Sequence, residues 1–321
     1  MPRKVIISVG SDMNLPRGWE AVEDLAAIVV TRSDAETAAA LADADALFLW
    51  NFDSRILQKT GVPANLTWIH TPSLGVDAFM TEAVVRSPVV VSNTRGVFER
   101  PMAEYVLGLM LAIAKDFRTT FDNQKRREWN WRQVRAIAGH TVALVGPGAI
   151  GAQIHNILTA VGYEVHSFGR RRIELSEVFG SVLPVSELTD YLPRMDTVVL
   201  ALPLTNETRG FMHAQRLNRM KPGATLINIG RGDLVDEDAL LESVTRGTLG
   251  MAALDVFAQE PLPATHPFWS SDRVIVSPHM SGDTVGYREH LFRQFATNLE
   301  RWCGGLPLQN VIDKTKFGFD R

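Results

Sequence analysis

The chain has 321 residues, about two domains on the usual size expectation, which excludes a single small binding module. Hydrophobic residues make up 45% and charged residues 21%, with a mean hydropathy of -0.01, so there is material for buried cores and little sign of disorder. Lys+Arg 33 against Asp+Glu 36 gives a net charge of -3, which argues against a nucleic-acid or anionic-membrane binder and leaves any anionic ligand to a few placed arginines.

Met1-Pro2-Arg3-Lys4 passes straight into the strand-like Val5–Val9, which is too short for a signal-peptide core. Further strands are predicted at Ala27–Thr31, Ala46–Trp50, Thr67–His70 and Val89–Ser92, separated by helix-favouring segments such as Asp34–Ala42. Arg100–Arg118 is apolar at near-helical spacing and reads as a helix, either crossing between domains or lying in an ordinary core. Its apolar stretch Tyr105–Ala114 falls short of the roughly 18 residues of a membrane span. Asp122–Arg135, a polar segment carrying Trp129 and Trp131, reads as a surface excursion.

A second strand series follows at Thr141–Gly146, Glu164–Phe168, Thr197–Leu202, Thr225–Gly230, Ala252–Phe257 and Val274–Ser277. Tyr287–Trp302 again has helical periodicity and stops at Gly304-Gly305. The alternation of strands and helices predicts an α/β protein with two parallel sheets in Rossmann-like domains. The expected division is a flavodoxin-like domain built from residues 1–97 and 286–321, with residues 98–285 inserted as a second domain. Cys303 is the only cysteine, which excludes an intramolecular disulfide and a multi-Cys zinc site and fits a reducing, cytoplasmic setting; no metal site is expected.

Gly146-Pro147-Gly148-Ala149-Ile150-Gly151 directly follows the strand at Thr141–Val145 and opens a helical segment. Strand, glycines and helix in that order predict a dinucleotide pyrophosphate site, with Gly146, Gly148, Ala149, Ile150 and Gly151 around the phosphates. A NAD-preferring site places an acidic residue at the end of the next strand. Here the acid is missing: Gly169 stands near its place, followed by Arg170, Arg171 and Arg172. Guanidinium groups pair with a 2′-phosphate or stack on adenine, so NADP(H) is expected, with Arg170 and Arg171 first in line and NAD(H) as the alternative.

Three ionisable residues follow strand ends where open α/β sheets bind ligands: Arg231, Glu260 and His279. Together they compose hydride-transfer chemistry at a carbonyl, with Glu260 raising the pKa of His279 so that it serves as acid or base. Arg231 can hold a substrate carboxylate with a charge that does not titrate.

From about Thr71 to Asp313 the sequence resembles the D-isomer-specific 2-hydroxyacid dehydrogenase family, and within it the glyoxylate/hydroxypyruvate reductase-like members. The likeness rests on Asn93-Thr94-Arg95-Gly96-Val97, the glycine loop, Leu202-Pro203-Leu204-Thr205, Met220-Lys221-Pro222-Gly223, Asn228-Ile229-Gly230-Arg231-Gly232, Ala253–Phe257 through Glu260-Pro261, and Ser277-Pro278-His279. The resemblance implies that Arg231, Glu260 and His279 are the family's catalytic set and that His279 also meets the cofactor. It implies that Asp255 anchors the nicotinamide amide, that Leu202, Pro203 and Ile229 line the cofactor, and that backbone N–H groups at Leu74 and Gly75 bind the substrate carboxylate. Trp50, Asn51 and Phe52 fall where the family builds its substrate pocket.

The resemblance further implies a homodimer and a small anionic 2-keto or 2-hydroxy acid as substrate, with neither nucleic acid nor membrane as partner. Two alternatives stand beside the small-acid reductase: a cofactor-sensing, corepressor-like interaction protein on the same fold, and a dehydrogenase for a bulkier D-2-hydroxy acid.

Overall fold

The structure, a computed structural model, describes residues 2–11, 14–15, 18–51, 54–76 and 79–317. The chain divides into two units, Met1–Val97 with Thr284–Arg321, and Phe98–Asp283.

The first unit opens with β1 (Lys4–Ser8), β2 (Ala27–Thr31), α1 (Asp34–Leu41), β3 (Ala46–Leu49), α2 (Ile56–Thr60), β4 (Trp68–Thr71), α3 (Glu82–Arg86) and β5 (Val90–Asn93). The strands are short, β-branched or aromatic and largely buried, the pattern of a sheet covered on both faces. They pair in parallel in the order β2-β1-β3-β4-β5, a flavodoxin-like winding. Ser33 and Thr81 start α1 and α3 by accepting backbone N–H bonds from Glu36 and Val84.

The second unit contains α4 (Glu99–Ala114), α5 (Phe117–Arg126), β6 (Thr141–Val145), α6 (Ala149–Ala160), β7 (Glu164–Gly169), β8 (Ile173–Ser176), β9 (Gly180–Pro184) and α7 (Leu188–Tyr191). It continues through β10 (Thr197–Leu200), α8 (Ala214–Arg219), β11 (Thr225–Asn228), α9 (Glu237–Thr245), β12 (Met251–Leu254) and β13 (Val274–Val276). The sheet runs β13-β12-β11-β10-β6-β7-β9-β8, parallel except for β8, which pairs antiparallel with β9. The chain then returns to the first unit as α10 (Tyr287–Cys303). There Phe295 stacks on Phe48 with ring centroids 4.0 Å apart and on Trp68 at 5.6 Å, covering one face of the first sheet.

Two expectations need correction. The helix expected over Arg100–Arg118 is not continuous: it ends at Ala114, and Asp116 takes a left-handed conformation (φ 51°) before α5 begins. Arg132 binds both the Asp116 carboxylate and its carbonyl, fixing that break. As a result, the start of the expected excursion Asp122–Arg135 is helical as far as Arg126. All of α4 belongs to the second unit, where Ala103, Val106 and Met110 pack with Ile154 and Leu158 of α6, so it is a core helix. The antiparallel hairpin β8–β9 is the second difference; nothing in the strand series anticipated it.

Candidate active site

In the second unit, the carboxyl ends of the parallel strands share one edge of the sheet, where ligands bind in open α/β folds. Across that edge, from β7 through β6, β10, β11 and β12 to β13, the residues at or just past the strand ends are Gly169, Gly146, Leu202, Arg231, Asp255 and His279. The glycine loop and the ionisable residues therefore sit along one line, several strands apart.

At the β6 end, Gly146 has φ 109°, and a side chain there would overlap the Ala201 carbonyl; one on Gly151 would overlap the Gly146 carbonyl oxygen. These two glycines let the loop close against β10 and α6. Gly148 differs, because a Cβ on it would meet nothing within 4 Å. It is exposed and caps α6 without any side-chain hydrogen bond, and the N–H groups of Gly148, Ala149 and Ile150 find no acceptor among the described residues. Open space, unpaired amides and the positive end of α6 make a cradle that fits a pyrophosphate.

One strand further, Gly169 is buried and the arginines that follow are exposed in the turn between β7 and β8. Arg172 is tied to Glu187 at 2.5 Å, with Glu174 at 3.9 Å. Arg170 and Arg171 have no ion pair or hydrogen bond among the described residues. At the β10 end Leu202 is half-buried and Pro203 exposed, whereas Ile229 is buried in a cluster with Val199 and Ile227, so its side chain belongs to the core.

The three ionisable residues leave β11, β12 and β13, which are neighbours in the sheet. Asn228 ends β11 and clamps the turn beyond it, its Oδ1 accepting the Gly230 N–H at 3.0 Å and its Nδ2 donating to the Arg231 carbonyl at 2.8 Å. A Cβ on Gly232 would overlap the backbone of Phe257, so the Arg231 turn lies directly against the loop leaving β12. In that loop the Phe257 N–H donates to Glu260 Oε1 at 2.9 Å, and the Ala258 N–H donates to Glu237 Oε1 of α9 at 2.9 Å.

Asp255 organises the exit of β13. Its carboxylate accepts the Ser277 hydroxyl at 2.7 Å and the N–H groups of Met280 and Ser281 at 2.9 Å each, while its carbonyl accepts the His279 N–H at 2.8 Å. This ring of bonds holds His279 at φ 52°, a strained left-handed conformation for a non-glycine residue. His279 Nδ1 then lies 2.7 Å from Glu260 Oε2. The hydrogen bond and charge of Glu260 raise the imidazole pKa against burial and the Arg231 charge. Burial works to raise the Glu260 carboxyl, but His279, the Phe257 N–H and Arg231 together hold it below the usual range. The pair thus favours the charged form of each partner, and His279 Nε2 has no partner among the described residues.

The Asp255 carboxylate, expected to anchor a nicotinamide amide, is fully buried and engaged by the His279 turn. Sequence reasoning missed its partner Ser277, the Asn228 clamp, and Tyr105 of α4, whose pKa is raised mainly by burial. The available signal was a polar residue, Asn228 or Ser277, at the end of an otherwise apolar strand. In the first unit, Trp50 is fully buried and meets Phe48 edge-on at 5.4 Å. Leu74 and Gly75 follow β4, their carbonyls accepting from Asn93 Nδ2 at 3.0 Å and Ser73 Oγ at 2.5 Å. Their N–H groups have no acceptor among the described residues, and Phe52 lies outside those residues.

A profile of the D-isomer specific 2-hydroxyacid dehydrogenase NAD binding domain matches residues 107–281. The chain belongs to the D-isomer-specific 2-hydroxyacid dehydrogenase family. It is 32% identical to a glyoxylate reductase of Thermofilum pendens, over 80% of this chain and 78% of that one. A family member from Aeromonas salmonicida subsp. salmonicida superposes with a TM-score of 0.82 at 30% identity, covering 98% of this chain and 100% of that one. The NADPH-dependent glyoxylate/hydroxypyruvate reductase of Sinorhizobium meliloti, in complex with NADP and sulfate, superposes at 0.81 with 25% identity, covering 98% and 99%. The chain is thus a nicotinamide-dependent 2-hydroxyacid dehydrogenase of the glyoxylate/hydroxypyruvate reductase type. Among the described residues no helix is long and apolar enough to cross a membrane.

Proposed function

We propose that the protein reduces small 2-keto acids of the glyoxylate or hydroxypyruvate kind to D-2-hydroxy acids, with NADP(H) preferred over NAD(H). The observation that carries this reading is the 2.7 Å His279–Glu260 pair beside Arg231, on the strand edge that also bears the glycine loop. Bound nicotinamide supplies or accepts the hydride. In reduction, His279 gives its Nε2 proton to the developing alkoxide, and Glu260 stabilises the imidazolium beforehand. In oxidation the neutral imidazole takes the hydroxyl proton at the same atom. Arg231 holds and polarises the keto acid with a permanent charge, and the N–H groups of Leu74 and Gly75, which have no acceptor among the described residues, are the donors we assign to the substrate carboxylate.

Gly148, Ala149 and Ile150 would hold the pyrophosphate, with Gly146 and Gly151 shaping the loop. Beyond Gly169, Arg170 and Arg171 are the guanidinium groups left free for a 2′-phosphate, because Arg172 is bound to Glu187. Leu202 and Pro203 would flank the cofactor at the β10 end. Backbone Ile229 and Asp255 would bound the nicotinamide side. The partner we assign is a second copy of this chain, and the working compartment the cytoplasm.

Steady-state turnover of glyoxylate, hydroxypyruvate, pyruvate and a bulkier aromatic keto acid, with NADPH and NADH in parallel, tests the reading. Glyoxylate and hydroxypyruvate with NADPH are expected to lead. His279→Ala should lower kcat by about 10²–10⁴-fold while dinucleotide Kd stays near the wild-type value. Tight NADPH binding without turnover of any keto acid would instead mark a cofactor sensor.

A further inference from the structure

The second residue of the phosphate loop, Pro147, lies against the end of β7. A Cβ built on Gly169 would come within 2.8 Å of Pro147 Cγ and 3.2 Å of its Cδ, and within 3.1 Å of Val182 Cγ1 on β9. Real Cβ atoms do not approach carbon so closely, so one side must yield. A flexible side chain could rotate away, but the pyrrolidine ring is tied to its own backbone and cannot. Val182 is buried in a strand paired with β7, with little freedom of its own.

Gly169 occupies the strand end where a NAD-preferring site puts the carboxylate that accepts the ribose hydroxyls. From this packing we infer that Pro147 is a cofactor-specificity residue: its ring keeps position 169 a glycine and so bars the ribose-binding acid. Discrimination then falls to the free guanidinium groups of Arg170 and Arg171 in the adjoining turn. The inference rests on the NADP(H) reading above for its functional meaning, but its steric half stands on the ring, Gly169 and Val182 alone. It follows that introducing the acid by itself should be insufficient to convert the site. The loop residue and the strand-end residue must change together.

Two double-mutant cycles test it. In the first, apo Gly169→Ala is expected to lose about 3–10 °C in Tm, and Pro147→Ala in the same chain to recover most of that loss. In the second, Gly169→Asp alone should bind NADH no better than wild type. Pro147→Ala/Gly169→Asp should bind NADH about tenfold more tightly than Gly169→Asp does, read as Kd by nicotinamide fluorescence. Additive Tm changes in the first cycle, or equal NADH Kd values for the single and double Asp variants, would overturn the inference. Arg170→Ala/Arg171→Ala, measured alongside, separates the two readings. Equal losses for NADPH and NADH there would count against 2′-phosphate recognition while leaving the Pro147–Gly169 coupling to be judged by its own Tm cycle.

Discussion

His279 carries its function through the company its ring keeps. With its pKa raised by Glu260, the imidazole holds a proton to higher pH than a free histidine, so in the proposed mechanism reduction, which would consume that proton, should be lost only as pH rises through the raised value. Removing the carboxylate removes the cause. Glu260→Gln should therefore shift the alkaline limb of the kcat profile for reduction to lower pH and cut kcat by about 10–100-fold. An unmoved alkaline limb would detach Glu260 from the proton transfer. Asp255 works differently: its carboxylate faces the turn that carries His279, so at this scale the positioning of the acid is a matter of four hydrogen bonds to residues 277–281.

At the scale of elements, α10 closes the first sheet with an aromatic layer in which Phe295 lies between Phe48 and Trp68. Phe295→Ala should cost about 3–5 kcal/mol, measured as a lower urea midpoint followed by tryptophan fluorescence; a change below about 1 kcal/mol would mean the layer re-packs freely. Most strands were legible because short β-branched runs such as Val5–Ile7 and Thr197–Leu200 are buried on both faces and carry no competing signal. The β8–β9 hairpin was not. Ile173–Ser176 is mostly exposed and interrupted by Glu174, and β9 runs from Gly180 to Pro184, so neither has the apolar pattern of a core strand. The break between α4 and α5 was hidden for another reason: Asp116 is left-handed without being glycine, held so by the distant Arg132. Arg231, Glu260 and His279 could be picked out as strand followers, but their meeting depends on β11, β12 and β13 being adjacent, and a list of strands in chain order does not contain that adjacency. The Pro147 contact is invisible for the same reason, since residues 147 and 169 meet only once β6 and β7 pair.

For the whole molecule, we place the proposed second copy on the exposed apolar residues of α5 and the segment after it. Phe117 and Phe121 of α5 are 44% and 56% exposed, and Trp129 and Trp131 just beyond it are 101% and 79% exposed. Two tryptophans standing in water on one chain are costly, and association that buries them is the economical remedy. In the Tyr105–Ala114 stretch Val106, Met110 and Ala114 are already buried, while Leu107, Leu109, Leu111 and Ile113 are half-buried. Light scattering should therefore report a dimer at micromolar concentration, and Trp129→Ser/Trp131→Ser should shift it towards monomer. A wild-type mass of one chain would remove the assignment.

The return of α10 to the first unit also has a consequence for biosynthesis. The ribosome completes all of Phe98–Asp283 before it makes the helix that shields Phe48 and Trp68. Throughout that interval the opening stretch of the polypeptide waits with its aromatic face bare, so the last-made helix, rather than the first-made strands, decides when the amino-terminal half is finished.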